Sequence, residues 1–211
     1  MARTSTRGSL SRDRILDAAL ALADEAGLEG LTMRGLAARL GVEAMSLYNH
    51  VASKAELLDG LVERLVLAVD VRPRPGEAWA DLLRRVSLAY RDVAIAHPMA
   101  FGLLTTRPLA TGPALAHVRP LYESLVEAGY EIPQVILMLN VFFTFLNGYL
   151  LAEVGTVPGH RDVPEPAGVA ADPYMQEVVE RVELPSLGAN FERAVDLVLA
   201  GLRTMAPTAA R

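Results

Sequence analysis

Between Leu31 and Val51 the chain reads LTMRGLAARLGVEAMSLYNHV, and no other stretch restricts its fold as much. Leu36, Ala37, Leu40, Val42, Leu47 and Val51 are spaced to share one core between two short helices. Thr32 is a natural cap for the first, which runs through Leu40 and ends at Gly41; the second runs from about Ala44 to His50. Two short helices with a tight glycine turn between them fit helix-turn-helix geometry. Ala44, Met45, Ser46, Tyr48, Asn49 and His50 then fall near the exposed side of the second helix, which suits the major groove of DNA. Lys54 opens the next helix, where its ammonium and the local backbone N–H groups suit a phosphate.

Helical spacing continues almost throughout, so the expected fold class is all-α. Ahead of the motif, Ile15, Leu16, Ala19, Leu20, Leu22 and Ala23 make one face of a helix that Ser11 caps and Gly27 should stop. Behind it, Ser53 and Glu56 form a capping box for a helix reaching roughly Asp70. Arg72-Pro73-Arg74-Pro75-Gly76 cannot sustain a helix and marks a domain boundary. Further helices are expected from about Glu77 to His97, Pro113 to Ala128 and Pro133 to Val154, with a short irregular segment ending at Arg107-Pro108. A loop rich in glycine and proline follows from Gly155 to Ala171. Asp172-Pro173 opens a penultimate helix, and Pro185-Ser186 leads into a last one ending near Met205. The layout is a basic arm over 1–10, a three-helix DNA-binding domain over 11–71 and a larger helical domain over 77–206.

Bulk properties narrow the function. Just over half of the 211 residues are apolar, so a substantial core is available. There is no cysteine, which excludes disulfides and thiolate metal sites and fits a reducing, cytoplasmic setting. Met1 to Leu10 lacks the apolar stretch of a signal peptide. The net charge of −5 argues against a protein that coats nucleic acid, not against a local DNA-reading surface. Arg3, Arg7, Arg12 and Arg14 face only Asp13 in sequence; they form either a solvated tail or an arm for phosphates or the minor groove.

The N-terminal stretch from Ile15 to Leu61 resembles the TetR family of repressors. The resemblance rests on Thr32-x-Arg34-x-Leu36-Ala37, Leu40-Gly41-Val42, Leu47-Tyr48-x-His50-Val51 and Lys54-x-x-Leu57-Leu58. It implies that Thr32, Arg34, Ala44, Met45, Ser46, Tyr48, Asn49, His50 and Lys54 meet DNA. Arg34 is assigned to a guanine edge or a nearby phosphate, and Tyr48, His50 and Lys54 to phosphates. Ala44, Met45, Ser46 and Asn49 are left to carry sequence preference. Beside these roles stand plainer ones: Tyr48 and His50 packing on the first helix, and Arg34 as a solvated charge.

Gly76-Glu-Ala-Trp-Ala-Asp-Leu-Leu-Arg84 and Thr106-Arg107-Pro108 are similar to the tetracycline-repressor subgroup. That resemblance implies an effector-binding core, with dimer contacts through the helices near 133–154 and 186–205. It also implies a drug–magnesium site with a His just before Thr-Arg-Pro, but here the run is Phe101-Gly-Leu-Leu-Thr105. Where the subgroup has a metal-associated Glu, the approximate match is Ala152, with Glu153 adjacent. No metal site and no cofactor are expected. What remains is an apolar lining with a few polar handles for a small apolar or amphipathic effector. The candidates are Tyr90, Phe101, Leu104, His117, Tyr122, Met138, Asn140, Phe142, Thr144 and Asn147, although for any single one of them ordinary core packing or dimer contact is the commoner role. His97 reads as a helix-terminal residue and His160 as a loop residue.

Pro133 to Ala152 is an uncharged run long enough to span a bilayer. Gln134, Asn140, Asn147 and the missing basic flanks favour a buried helix at the centre of a dimer instead, so no membrane partner is expected. An enzyme is the rival class, but no nucleophile elbow, phosphate loop or metalloprotease motif is present. The expected function is therefore a ligand-responsive regulator, a repressor binding a pseudo-palindromic double-stranded operator as a homodimer. The alternative is a DNA-binding regulator without a small effector, controlled by a protein partner.

Overall fold

The computed structural model describes residues 9–155, 172–181, 187–205 and 207. Most of the basic arm, the stretch over 156–171 with His160, and Pro185-Ser186 lie outside the described residues. Every element within them is a helix: α1 (Arg12–Gly30), α2 (Met33–Leu40), α3 (Ala44–Tyr48), α4 (Lys54–Leu67), α5 (Trp79–Ala96) and α6 (Pro98–Phe101), then α7 (Leu103–Thr106), α8 (Gly112–Glu127), α9 (Ile132–Val154), α10 (Pro173–Arg181) and α11 (Leu187–Arg203).

Side-chain caps set many of the starts. Ser11, Thr32, Ser53 and Thr111 accept from the backbone N–H three residues on, closing the first turns of α1, α2, α4 and α8. Two expectations need correction. Gly27 does break α1, at φ 71°, but the chain resumes a helical turn through Gly30 rather than stopping. The expected irregular sixth segment is two single-turn helices, α6 and α7, joined at Gly102.

The core is one apolar cluster running from Ile15 to Leu202 without a gap at the domain boundary. α1 packs on α2, α4 and α6, while α4 reaches on to α7 and α8. Behind them α5 lies against α9 and α11, and α8 against α9. Arg85 and two carboxylates hold the Arg72–Gly76 segment, with Arg74 N–H donating to Glu77 Oε2 at 2.9 Å and Arg72 N–H to Asp70 Oδ1 at 3.2 Å. Arg85 donates to the Arg72 and Asp70 carbonyls at 2.7 and 3.0 Å, and to Glu77 Oε1 at 2.9 Å.

α9 has two faces. Val135, Met138, Leu139, Phe142, Leu146 and Leu150 are buried, whereas Ile132, Ile136, Leu137 and Val141 are exposed. By length and composition α9 could cross a membrane, although a third of its most apolar window is already buried in protein. The neighbouring α11 also shows an apolar outer position, with Leu197 76% exposed.

Candidate DNA interface and effector cavity

α2 and α3 form the expected head. Gly41 adopts a left-handed conformation at φ 69°, which only glycine takes without strain, and it turns the chain between the two helices. Its N–H donates to Ala38 O and that of Val42 to Ala37 O, so the last carbonyls of α2 are satisfied. Leu36, Ala37, Leu47 and Val51 are fully buried beneath α1 and α4 with Leu31 and Leu57. That burial fixes which side of α3 is free.

Met45 is 71% exposed and Tyr48 42%, with Asn49 exposed and Ala44, Ser46 and His50 half-buried. α3 spans five residues, so Asn49 and His50 lie just beyond it rather than inside it. The Thr32 hydroxyl caps α2, accepting from Gly35 N–H at 3.0 Å. Arg34 and Lys54 are exposed and enter no ion pair among the described residues, unlike Arg39, which is held by Glu25 at 2.6 and 2.7 Å. Arg34, Met45, Tyr48, Asn49 and Lys54 therefore share the exposed surface of the head.

A cavity of about 200 Å³ lies further along the same α4. Val62 and Val66 of α4 line it, with Val69 and Val71 from the segment that follows. Val86 and Tyr90 come from α5, Leu104 from α7, and Arg107 and Leu109 from the chain after it. α8 supplies Val118, Leu121 and Tyr122, and α9 supplies Leu139, Asn140, Phe143 and Asn147. Within it the Tyr90 hydroxyl donates to Asn147 Oδ1 at 2.7 Å, and burial raises the Tyr90 pKa well above its ordinary value. The hydroxyl thus stays neutral.

Five sequence candidates line this cavity: Tyr90, Leu104, Tyr122, Asn140 and Asn147. The other five do not. Phe101, Met138 and Phe142 are wholly buried, Phe101 meeting Tyr90 edge-on at 5.3 Å. His117 lies outside the lining, its Nε2–H donating to the Val69 carbonyl at 2.7 Å, and Thr144 is exposed on the outer side of α9. The α4 valines and Arg107 were missed. Their signal was present, since Val62, Val66 and Val69 recur at helical spacing beyond what the head's own core needs.

The tetracycline–magnesium analogy does not fit these residues. Phe101 is core, and Glu153 is taken by Arg91, whose Nε lies 3.0 Å from both carboxylate oxygens. No group of three or more His, Cys, Asp or Glu suited to a metal is found among the described residues.

The head, and the all-helical body built onto it, define a helix-turn-helix DNA-binding protein. Residues 15–61 match the bacterial regulatory proteins of the tetR family, and residues 72–206 match the tetracycline repressor-like C-terminal domain. A helix-turn-helix transcriptional regulator of Saccharopolyspora erythraea is 31% identical over 189 residues, 90% of this chain and 78% of that relative. The class D tetracycline repressor protein of Escherichia coli is 32% identical over 201 residues, covering 91% of this chain and 88% of the repressor. The Streptomyces coelicolor TetR family protein ActR, solved in complex with actinorhodin, has the same fold: TM-score 0.78, 23% identity, 96% of this chain and all of the other covered. The chain belongs to the TetR family of DNA-binding transcriptional regulators, which are not enzymes.

Proposed function

We propose that this chain is a cytoplasmic repressor that binds a pseudo-palindromic operator as a homodimer and leaves it when a small apolar or amphipathic effector enters the cavity. The observation that carries this reading is the position of α4. Lys54 opens it directly behind the reading helix, while Val62 and Val66, two to three turns on, wall the cavity. A shift of α4 that accommodates an effector therefore moves the head.

The cavity volume sharpens the mechanism. About 200 Å³ is below the roughly 300–1,000 Å³ of typical small-molecule sites. An effector that outgrows this space pushes the walls apart, and α4 is one of them. Linkage then requires that operator DNA weaken effector binding by the same factor. That a family relative has been solved with actinorhodin supports a small organic effector here, though a tetracycline–magnesium chelate is not the one the lining suits.

The exposed apolar positions of α9 and α11 support the dimer. Leu137 and Val141 on α9 and Leu197 on α11 lie on the outer side of two helices that pack together, with small Gly148, Ala200 and Gly201 allowing close approach. A two-fold pair formed there would present two copies of α3. The nine positions Thr32, Arg34, Ala44, Met45, Ser46, Tyr48, Asn49, His50 and Lys54 are proposed as the DNA contacts, Thr32 through the O–H donor that capping α2 leaves free.

The test is selection from a randomised duplex pool at low and raised salt. The proposal predicts an enriched two-fold symmetric site whose retention falls with salt as phosphate contacts give way. Absence of any enriched sequence would overturn it.

A further inference from the structure

Among the described residues, Arg107 is the one charged side chain lining the cavity. Its Nε and Nη2 both donate to a single oxygen, Asp59 Oδ1, at 2.9 and 2.7 Å, and Nη2 also reaches the Ala55 carbonyl at 3.1 Å. Nη1 donates to nothing among the described residues. Both members of the pair are about three-quarters shielded from solvent, at 26% and 27% exposure. Asp59 and Ala55 belong to the first two turns of α4, next to the DNA-facing Lys54. One guanidinium thus borders the cavity and holds the base of the DNA head.

We infer that the effector is an apolar acid, and that its carboxylate acts by drawing Arg107 away from Asp59. This rests on the cavity being the effector site. A guanidinium prefers a carboxylate whose two oxygens meet two N–H groups along one of its edges. Asp59 offers one oxygen to the Nε/Nη2 edge, so the Nη1 edge remains open to a second carboxylate. In the other polar pair in the lining the Tyr90 hydroxyl donates to Asn147 Oδ1, and neither group carries a charge to set against that of an ionised ligand. A cationic ligand would meet Arg107 with like charge, and a neutral one would leave the Asp59 and Ala55 bonds intact. Only an acid both gains from the site and disturbs the α4 tether. The valines and leucines around it receive the apolar body.

The test is calorimetric titration of the full-length protein with matched aromatic acids and their primary amides: benzoate, 2-naphthoate and anthracene-2-carboxylate against the corresponding carboxamides. At least one acid is expected to bind about ten-fold tighter than its amide, the size of one charge-assisted hydrogen bond. Arg107→Gln is expected to erase that preference, bringing the affinities of acid and amide together. Asp59→Asn removes the competing carboxylate and is expected to tighten acid binding further, an outcome that simple loss of packing would not produce; it also serves if Arg107→Gln fails to fold. Equal affinity for acid and amide in every pair, or an acid preference that survives Arg107→Gln, overturns the inference and leaves the cavity as an effector site. No binding by any member of the series overturns both.

Discussion

A Cβ built on Gly60 would lie 2.4 Å from Leu16 Cδ2 and 3.1 Å from Cδ1, so α4 crosses α1 at a separation that leaves no room for a methyl group. Leu16 is wholly buried and cannot swing into solvent. The helix proposed to carry the effector signal is therefore seated directly on the first helix of the head, and any tilt of α4 is transmitted there.

Gly60→Ala measures how tight that seat is. Helix propensity alone would favour alanine by about 1 kcal/mol. Overpacking a filled site costs about 1–3 kcal/mol. With three atoms of Leu16 within 3.3 Å, the second effect should win, and chemical denaturation should show a net loss of stability. A gain would mean that α1 and α4 separate freely.

The boundary segment predicts an acid response. Its hydrogen bond to Arg85 is the main cause holding the Glu77 carboxyl at about 2, against an ordinary 4.5, with burial opposing. A depressed carboxylate stabilises the fold fully above its unfolded pKa, and that contribution is lost as pH falls from 4.5 through about 2. Melting temperature should therefore drop across that window. Glu77→Gln should lower it at neutral pH and shrink the further acid-induced drop. An unchanged acid profile would remove Arg85 and Glu77 from the account.

On the DNA side, Arg34 and Lys54 should separate reading from holding. Arg34→Ala is expected to cost about 1–3 kcal/mol per half-site on the selected operator and to relax preference at one base pair in each half-site. Lys54→Ala removes one phosphate contact from each half-site, so it should weaken all sequences alike and lower the slope of log K against log salt by about 1.8, about 0.9 per protomer. Electrophoretic or fluorescence titration across a salt series distinguishes the two.

Leu197 tests the dimer. A charge introduced by Leu197→Glu at a 76%-exposed apolar position costs a monomer little, but it is unfavourable once desolvated between two copies. Sedimentation velocity should show the parent as a dimer and the variant as a monomer with weakened operator binding. A variant that stays dimeric would move the interface away from α9 and α11.

The head was largely legible in the sequence because its geometry is local. Thr32 as cap, Gly41 as left-handed turn and Leu36, Ala37, Leu47 and Val51 as core all lie within about twenty residues, where helical period alone decides which face is buried. The cavity was half legible. Tyr90, Leu104, Tyr122, Asn140 and Asn147 line it, but Phe101, Met138 and Phe142 are equally apolar and pack solidly instead. Whether a buried side chain meets a void or a neighbour depends on how separate helices cross, and one-dimensional spacing does not contain that. Arg107 was hidden for another reason. Its partners Ala55 and Asp59 are some fifty positions earlier, and although the fourth helix reads as running from the head toward the larger domain, no sequence period says which of its residues Arg107 meets.

The most direct test of the account is a hydroxyl-radical footprint of the full-length protein on its selected duplex. The account predicts two equivalent protected patches about the site's two-fold centre, one helical turn or about 34–36 Å apart. Both should vanish together on dilution below the dimer's dissociation constant. A single protected patch, or one that persists with the protein monomeric, would contradict a dimeric operator-binding regulator.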